Sequence, residues 1–493
     1  MKKRLVLAVI DGCHRGVLYD LIDRGEARFL GRLAESGTRV REAVTMFPAT
    51  TVCCCATLYT GCLFRRHGIL NNEWVDRFAA GVRGRSYIAG ARYALESLDR
   101  KFFGFPSILL PDLNRGGAIN NDIGAPTIYE EFARAGRTSY AYFHYVGRGA
   151  TRWVRPGRMD MLTFAYVEKS GKPYQIYERR MVSRAIRDVR REAPDLLSVY
   201  FGCNDGHSHR HGVAAQAEYL RDFVDGELER LSRALEERCP GDEIYWAVSA
   251  DHGQTSLSPG DRDRSVFDHT FFPVLRSAGY GNVGRGFSDR DLSALDAVVT
   301  LGNGAAIGFY LRNRATRRWE DAPDFEGDVA PALNHMLKAA ERIPPFEDWA
   351  YPGYLDFLLT RTGFEEGYRV YGNAPPYEGT GELAGLEEYF SGKEGEYVRP
   401  VERIRGIDHP KGPDVVMVLN YRDHFNVNEV ENFHVGQHGG LNGDDSYVPM
   451  IFSGPGVKVG EAAEALTTDF APTAAAMAGV EMPAADGRVL EVT

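Results

Sequence analysis

The chain has 493 residues, 44% of them hydrophobic and 26% charged, enough to bury a large core and too apolar for a disordered chain. A formal net charge of −10 and a pI near 5.8 argue against a nucleic-acid polymer or an anionic membrane as the main partner; an anionic small substrate stays open, because bound cations can invert a local field. No stretch approaches the roughly 20 apolar residues of a membrane span.

The first predicted element is a strand over Leu5–Ile10, running into Asp11-Gly12. Met1-Lys2-Lys3-Arg4 before it imitates a signal peptide, but the apolar run is shorter than the usual hydrophobic region of about 7–15 residues. Next, the Phe47-Pro48 turn feeds a helix that ends near Gly61, which places Thr50 or Thr51 at an N-terminus where free N–H groups favour an anion. That helix holds Cys53, Cys54 and Cys55. With seven cysteines in all and three consecutive, the chain makes a poor disulfide framework and fits a reducing cytoplasm. Residues from about Val75 to Ala125, rich in Gly, Arg and aromatics, read as a long excursion.

A helical stripe of Met181, Ala185, Ile186 and Val189 precedes a strand over Leu196–Phe201. A polar loop follows, Asp205-Gly206-His207-Ser208-His209-Arg210-His211-Gly212. Leu220, Phe223, Val224, Leu228, Leu231 and Leu235 keep helical spacing up to Cys239-Pro240-Gly241. The strand Ile244–Val248 leads to Asp251-His252-Gly253, where the glycine would permit a sharp turn. Residues from about Thr270 to Val430 interrupt the alternation and read as an inserted cap. A Gly-rich loop with His434 and His438 then leads to a strand over Val448–Phe452, and Thr468 or Asp469 can cap a helix through Ala471–Ala478.

Continuous apolar runs alternating with helices imply an α/β fold: a doubly wound, largely parallel sheet with helices on both faces. The expected division is a core in two parts, 1–270 and 431–493, with the cap, 271–430, inserted. Ligands of such sheets bind beyond the carboxyl ends of the strands, and Asp11, Asp205, Asp251 and His252 all fall there. Each motif alone has a plainer reading: a common Asp-Gly turn, a solvated loop, an N-cap threonine, a pair of surface histidines. Together they gather enough oxygen and nitrogen donors for two four- or five-coordinate metals.

These motifs resemble the alkaline phosphatase superfamily, and within it the nucleotide pyrophosphatase/phosphodiesterase branch and its phosphonoacetate hydrolase relatives. The resemblance covers about residues 1–75, 126–270 and 430–493. It implies that Asp11, Asp251 and His252 hold one metal together with Thr51, the nucleophile of the Phe-Pro-x-x-Thr stretch. Asp205 and His209, in Asp-x-x-x-His-x-x-Gly, would hold the second with His438 of the late His-Gly; His434 is the alternative. Asn72, or its neighbour Asn71, resembles the Asn that holds a phosphoryl oxygen, joined by the backbone N–H of Thr51 or Val52. Cys53, Cys54 and Cys55 depart from the Pro and His that family members often carry there. The Cys-x-Pro-x-Arg stretch of sulfatases is absent.

The resemblance thus implies a two-metal phosphoric ester hydrolase of the phosphodiesterase or pyrophosphatase type, working through a phospho-threonine. Phosphomonoester or phosphonate hydrolysis is the alternative, and a non-catalytic metal- or ligand-binding relative the second. Two divalent ions are expected, zinc with manganese also suitable, and the partner is a small phosphate ester or phosphonate. Arg65, Arg66 and Arg148 are candidates to meet the extra charge of a monoester. Tyr351, Tyr354, Tyr368, Tyr371 and Tyr377 of the cap are candidates to contact a leaving group.

Overall fold

The computed structural model describes residues 1–79, 81–86, 118–171, 173–266, 268–286, 292–301, 304–372, 381–427 and 434–492. Its main sheet has nine strands. The opening strand, Lys3–Ile10, lies in the middle, parallel to Leu196–Phe201 on one side and to Glu243–Ser249 on the other. Ser139–Tyr142 and Arg152–Val154 extend the sheet in parallel beyond Leu196–Phe201. On the far side Met450–Ser453 runs antiparallel between Glu243–Ser249 and Gly37–Val44, and Gly460–Leu466 pairs in parallel with Gly37–Val44. Only Met450–Ser453 and the short Tyr447–Val448 oppose the common direction, so the sheet is largely parallel.

Every residue of Leu5–Ile10 and Leu196–Phe201 is buried, as expected for strands covered on both faces. The three central strands end in register, with Ile10 opposite Phe201 and Val9 opposite Ser249, so the segments that follow emerge along one edge. The strand expected over Val448–Phe452 is broken in two at Pro449, which has no N–H to give the ladder. The stripe from Met181 to Val189 lies on the buried face of the helix Gln175–Arg191. The stripe from Leu220 to Leu235 falls within a continuous helical stretch from Gln216 to Arg238 that contains one π turn, Leu220–Val224. The last helix is Phe470–Met477.

A second sheet of seven strands is drawn from residues 283–419. Ala306–Leu311, Val415–Leu419 and Leu355–Thr360 form its antiparallel centre. With the helices Phe272–Ser277 and Ala330–Ala340 it encloses an apolar core separate from the main one. Of the tyrosines expected to meet a leaving group, Tyr368 is buried in the main core, and Tyr354 and Tyr371 in this one. The Tyr354 hydroxyl donates to Met336 O at 2.9 Å, that of Tyr371 to Asn334 at 2.7 Å and that of Tyr368 to Pro413 O at 2.7 Å. Tyr351 packs against the same core, and Tyr377 lies outside the described residues. Of the excursion over 75–125, the structure describes a hairpin of Glu73–Asp76 with Arg83–Ser86 and a short helix, Ala118–Asp122; residues 87–117 lie outside the described set. No helix among the described residues is long and apolar enough to cross a membrane.

Candidate two-metal site

Two trios of donors form where the central strands end. Asp11, Asp251 and His252 are one, Asp205, His209 and His438 the other; within each trio the ligand atoms lie within 4.8 Å of one another. The trios are contiguous, since the rings of His252 and His438 stack at 3.7 Å and 13°.

In the first trio the Asp251 carboxylate is fixed by the backbone N–H groups of Gly12, at 3.1 Å, and His252, at 3.0 Å. His252 Nδ1–H donates to Gly253 O at 2.8 Å, which turns Nε2 toward Asp11 Oδ1, 3.4 Å away. A ring nitrogen held by a carbonyl while the other faces a carboxylate cluster is the arrangement of a metal-binding histidine. Burial, then the Asp251 and Asp205 charges, hold the Asp11 carboxyl well above the usual carboxylate range. Burial alone would lower the His252 imidazole, but Asp251 and Asp205 outweigh it and raise its pKa. Gly12 has φ +60°, and a Cβ there would meet Asp205 Oδ1 at 2.7 Å, so this turn requires glycine. Gly253 serves differently from the expected sharp turn: its φ is not positive, but a Cβ would lie 2.0 Å from Asp444 O.

Thr51 opens the helix Thr51–Thr60, and its hydroxyl lies 3.2 Å from His252 Nε2. Thr50 is committed elsewhere: its hydroxyl donates to Asn71 Oδ1 at 3.0 Å and contacts Cys53 Sγ. The geometry therefore brings Thr51, not Thr50, to the donors. Val52 N–H donates to Asn72 Oδ1 at 2.9 Å, so this N–H orients Asn72 rather than facing a substrate. Asn72 is fully buried, and its Nδ2 has no hydrogen-bond partner among the described residues.

The second trio rests on a helix where the sequence suggested a loop. Asp205 and His209 belong to Cys203–His211, one turn apart on the same face, with His209 Nε2 3.1 Å from an Asp205 oxygen. His209 Nδ1 donates to Gly436 O at 2.6 Å and His438 Nδ1 to Ala49 O at 2.7 Å. His438 is buried; its Nε2 lies 3.8 Å from Asp205 Oδ1 and has no hydrogen-bond partner among the described residues. Burial, then the neighbouring His252, hold its pKa well below the usual imidazole range. For Asp205 burial works the other way, yet His209, His438 and His252 keep its carboxyl below the usual range. His434 stacks on His209 at 4.9 Å, outside the trio, and burial pushes its pKa down to about 3.

Several supporting groups carry no signal in the sequence. The Tyr200 hydroxyl donates to Asp11 Oδ2 at 2.5 Å and lies 3.5 Å from Asp251. Gln254 Nε2 donates to Asp205 Oδ1 at 2.5 Å, and its Oε1 accepts from the Ser208 hydroxyl. Gln216 Nε2 donates to Gly12 O and Asn204 Nδ2 to Asp11 O. Glu178, fully buried, accepts from Cys203 N–H at 2.8 Å and from the Tyr219 hydroxyl at 2.6 Å, anchoring the first turn of the helix that bears Asp205 and His209. Tyr200, Gln216, Asn204 and Glu178 stand on strands or helices, and Gln254 in the loop after Glu243–Ser249.

Two of the three arginine candidates have other partners. Arg148 pairs with Glu130 at 3.0 Å and donates to the carbonyls of Ile123 and Ala125; Arg66 pairs with Asp486; Arg65 is exposed. The three consecutive cysteines are buried and unpaired, and the Cys55 thiol lies 3.7 Å from Asp251 Oδ2.

The donors fit divalent metals. Mixed carboxylate and imidazole ligands suit zinc or manganese. Among the described residues, buried Asp11 Oδ1 and His438 Nε2 find none of the hydrogen-bond partners that buried polar atoms ordinarily have, a place that a bound cation would fill. Comparison with known proteins agrees. The sequence profile of the type I phosphodiesterase/nucleotide pyrophosphatase family matches residues 5–352. The chain belongs to that family. A search of curated proteins finds no match. Solved structures of similar fold include murine ectonucleotide pyrophosphatase/phosphodiesterase 5, at 15% identity over 99% of this chain and 98% of that one with a TM-score of 0.59. The human form matches at 17% identity over 99% and 97%, also with a TM-score of 0.59. An inactive Thr→Ala variant of the murine protein, in complex with AMP, matches at 14% identity over 99% and 98%, with a TM-score of 0.61. The alkaline phosphatase-like fold expected from the motifs is thus present.

Proposed function

We propose that this family member is a two-metal phosphodiesterase or nucleotide pyrophosphatase that works through phospho-Thr51. The observation that carries the reading is the placement of the Thr51 hydroxyl at a helix N-terminus, 3.2 Å from His252 Nε2 in one donor trio and beside the second. Asp11, Asp251 and His252 would hold one divalent ion with Thr51, and Asp205, His209 and His438 the other, zinc or manganese in each case. When bound, such ions favour the alkoxide and neutralise the attacking and leaving oxygens of a displacement at phosphorus.

The chain's own groups do the rest. Thr51 Oγ attacks phosphorus in line and one alcohol or phosphate departs, taking up the proton that Thr51 loses; the phosphoryl group stays on Thr51, still esterified to the remaining alcohol. Water then breaks the Thr51–phosphorus ester, releasing the phosphate monoester and restoring the hydroxyl. Val52 N–H holds Asn72 so that the unpartnered Nδ2 can meet the non-bridging phosphoryl oxygen whose charge must be stabilised. Tyr200 and Gln254 keep Asp11 and Asp205 in place.

Diester or pyrophosphate cleavage is favoured over monoester cleavage because Arg148 and Arg66 are engaged away from the donors. The complex of a family relative with AMP supports a nucleoside as one alcohol part of the ester. Residues 271–430 are read as the cap inserted into the core. That none of the seven cysteines forms a disulfide supports a reducing compartment such as the cytoplasm. The test is a panel assayed with zinc- or manganese-loaded protein: bis-p-nitrophenyl phosphate, p-nitrophenyl phosphate, a nucleotide p-nitrophenyl ester and phosphonoacetate. The diesters should turn over fastest. Preference for the monoester or for phosphonoacetate would reject the diesterase assignment, and no turnover of any substrate would favour a binding protein.

A further inference from the structure

Arg403 sits on the short helix Pro400–Arg405, within the inserted segment, and is fully buried. Its Nη2 donates to Met46 O at 3.0 Å and Gly440 O at 3.3 Å; its Nη1 donates to Ser446 Oγ at 2.6 Å and Val398 O at 3.2 Å. Among the described residues it forms no ion pair. The neighbouring acid Asp445 is occupied by Gly440 N–H and the Thr255 hydroxyl. Burial lowers the Arg403 pKa to about 10. A buried, unpaired cation is costly, and where packing alone matters an apolar residue of similar volume commonly serves as well or better. What an apolar side chain cannot do is bridge two carbonyls, as Nη2 does here, while Nη1 of the same rigid plane is fixed on Ser446 Oγ and Val398 O.

The two carbonyls belong to the segments that carry the chemistry. Met46 lies five positions before Thr51, and Gly440 two after His438. The same segments are joined by the bond from His438 Nδ1 to Ala49 O. We propose that Arg403 is a positioning residue: it sets the spacing between the nucleophile Thr51 and the second-trio ligand His438, and through it the inserted segment governs the assembly of the site. The inference rests on the two-metal reading above.

The test uses the full chain carrying Arg403→Lys, which keeps the charge but offers one nitrogen, and Arg403→Ala, assayed with and without added guanidinium. Thermal unfolding, stoichiometry and affinity of zinc binding, and kcat and KM on a diester are measured for each. Displacement of a reacting group by about 1 Å commonly costs about 100-fold. Arg403→Lys should therefore lose kcat by about that factor with KM little changed, weaken the second equivalent of zinc more than the first, and unfold near the wild-type temperature. Guanidinium should restore part of the loss in Arg403→Ala, and methylammonium should not. If Arg403→Ala does not fold, the lysine variant decides alone. The proposal is overturned if Arg403→Lys matches wild type in both kcat and second-ion affinity, or if its losses follow unfolding alone. Wild-type protein that binds two ions without cleaving any phosphate ester would instead overturn the functional reading; the zinc affinities would still judge Arg403.

Discussion

Glu178 is a carboxyl in the fully buried core beneath the site, and its replacement by Gln should make the protein more resistant to unfolding at alkaline pH. Burial raises its pKa from 4.5 to about 7, against the opposing bonds from Tyr219 and Cys203. The unfolded chain loses this proton near 4.5, whereas the native protein keeps it to about 7. Between those values the native state binds more protons, so stability falls as pH rises, and the loss levels off above pH 7. The difference of roughly 2.5 pKa units corresponds to about 3 kcal/mol as an upper value. Gln has no charge to lose. Its carbonyl oxygen can still accept from Cys203 N–H and its amide can donate to the Tyr219 oxygen. Urea unfolding of wild type and Glu178→Gln, in chelator to remove metal linkage, should give similar stabilities at pH 4 and a gap widening toward about 3 kcal/mol by pH 8. An offset already present at pH 4 would reflect packing; a gap that does not widen between pH 4 and pH 8 would refute the argument.

Thr51→Ala should retain the fold and both ions but lower kcat by at least about 1,000-fold, with no phosphorylated protein trapped on acid quench. Asp251→Asn should lose zinc preferentially from the Asp11–His252 side, and His438→Ala from the Asp205–His209 side, read by metal analysis after dialysis; equal loss from both variants would contradict two separable trios. Asn72→Ala should cut kcat by about 100-fold or more with a smaller change in KM, because its amide acts on charge that grows in the transition state. Chelation should abolish turnover and lower the unfolding temperature, and an active protein free of transition metal would exclude the mechanism.

The strands were legible because they are buried on both faces. Leu5–Ile10 and Ile244–Val248 are unbroken apolar runs, Leu196–Phe201 is interrupted only by Ser198, and each points to an acid. The helix Cys203–His211 was illegible, since Asp205-Gly206-His207-Ser208-His209-Arg210-His211 has no apolar stripe, and its position is set by tertiary contacts such as Glu178 on Cys203 N–H. Tyr200 was hidden because period-two alternation vanishes in a strand covered on both sides, leaving no pattern to single out the residue that reaches Asp11. The cap tyrosines were misleading for a related reason: an aromatic in a segment without motifs reads the same whether it faces a ligand or, like Tyr354, a core. Arg403 lies in that same segment, and nothing near it in sequence marks it as a partner of Met46 and Gly440.

The distribution of charge explains why the donors grow from the best-buried part of the molecule. Three carboxylates and three imidazoles share a space from which water is largely excluded, and their demands conflict. Asp11 is pushed toward its neutral form by burial and by Asp251 and Asp205, while His438 is held neutral by burial and by His252. Protonation can relieve one conflict only by sharpening another, because a proton on Asp11 takes from His252 part of the negative charge that faces it. A divalent cation in each trio satisfies the carboxylates and uses the neutral imidazoles as they stand. Holding such a set together requires a scaffold that will not relax away from it. The central strands supply that scaffold with complete burial and an in-register end, and the backbone N–H groups of Gly12 and His252 fix Asp251 from two sides. The nucleophile and His438 come from segments that the sheet does not hold so directly. It is there that the His438–Ala49 bond and the Arg403 fork do the holding.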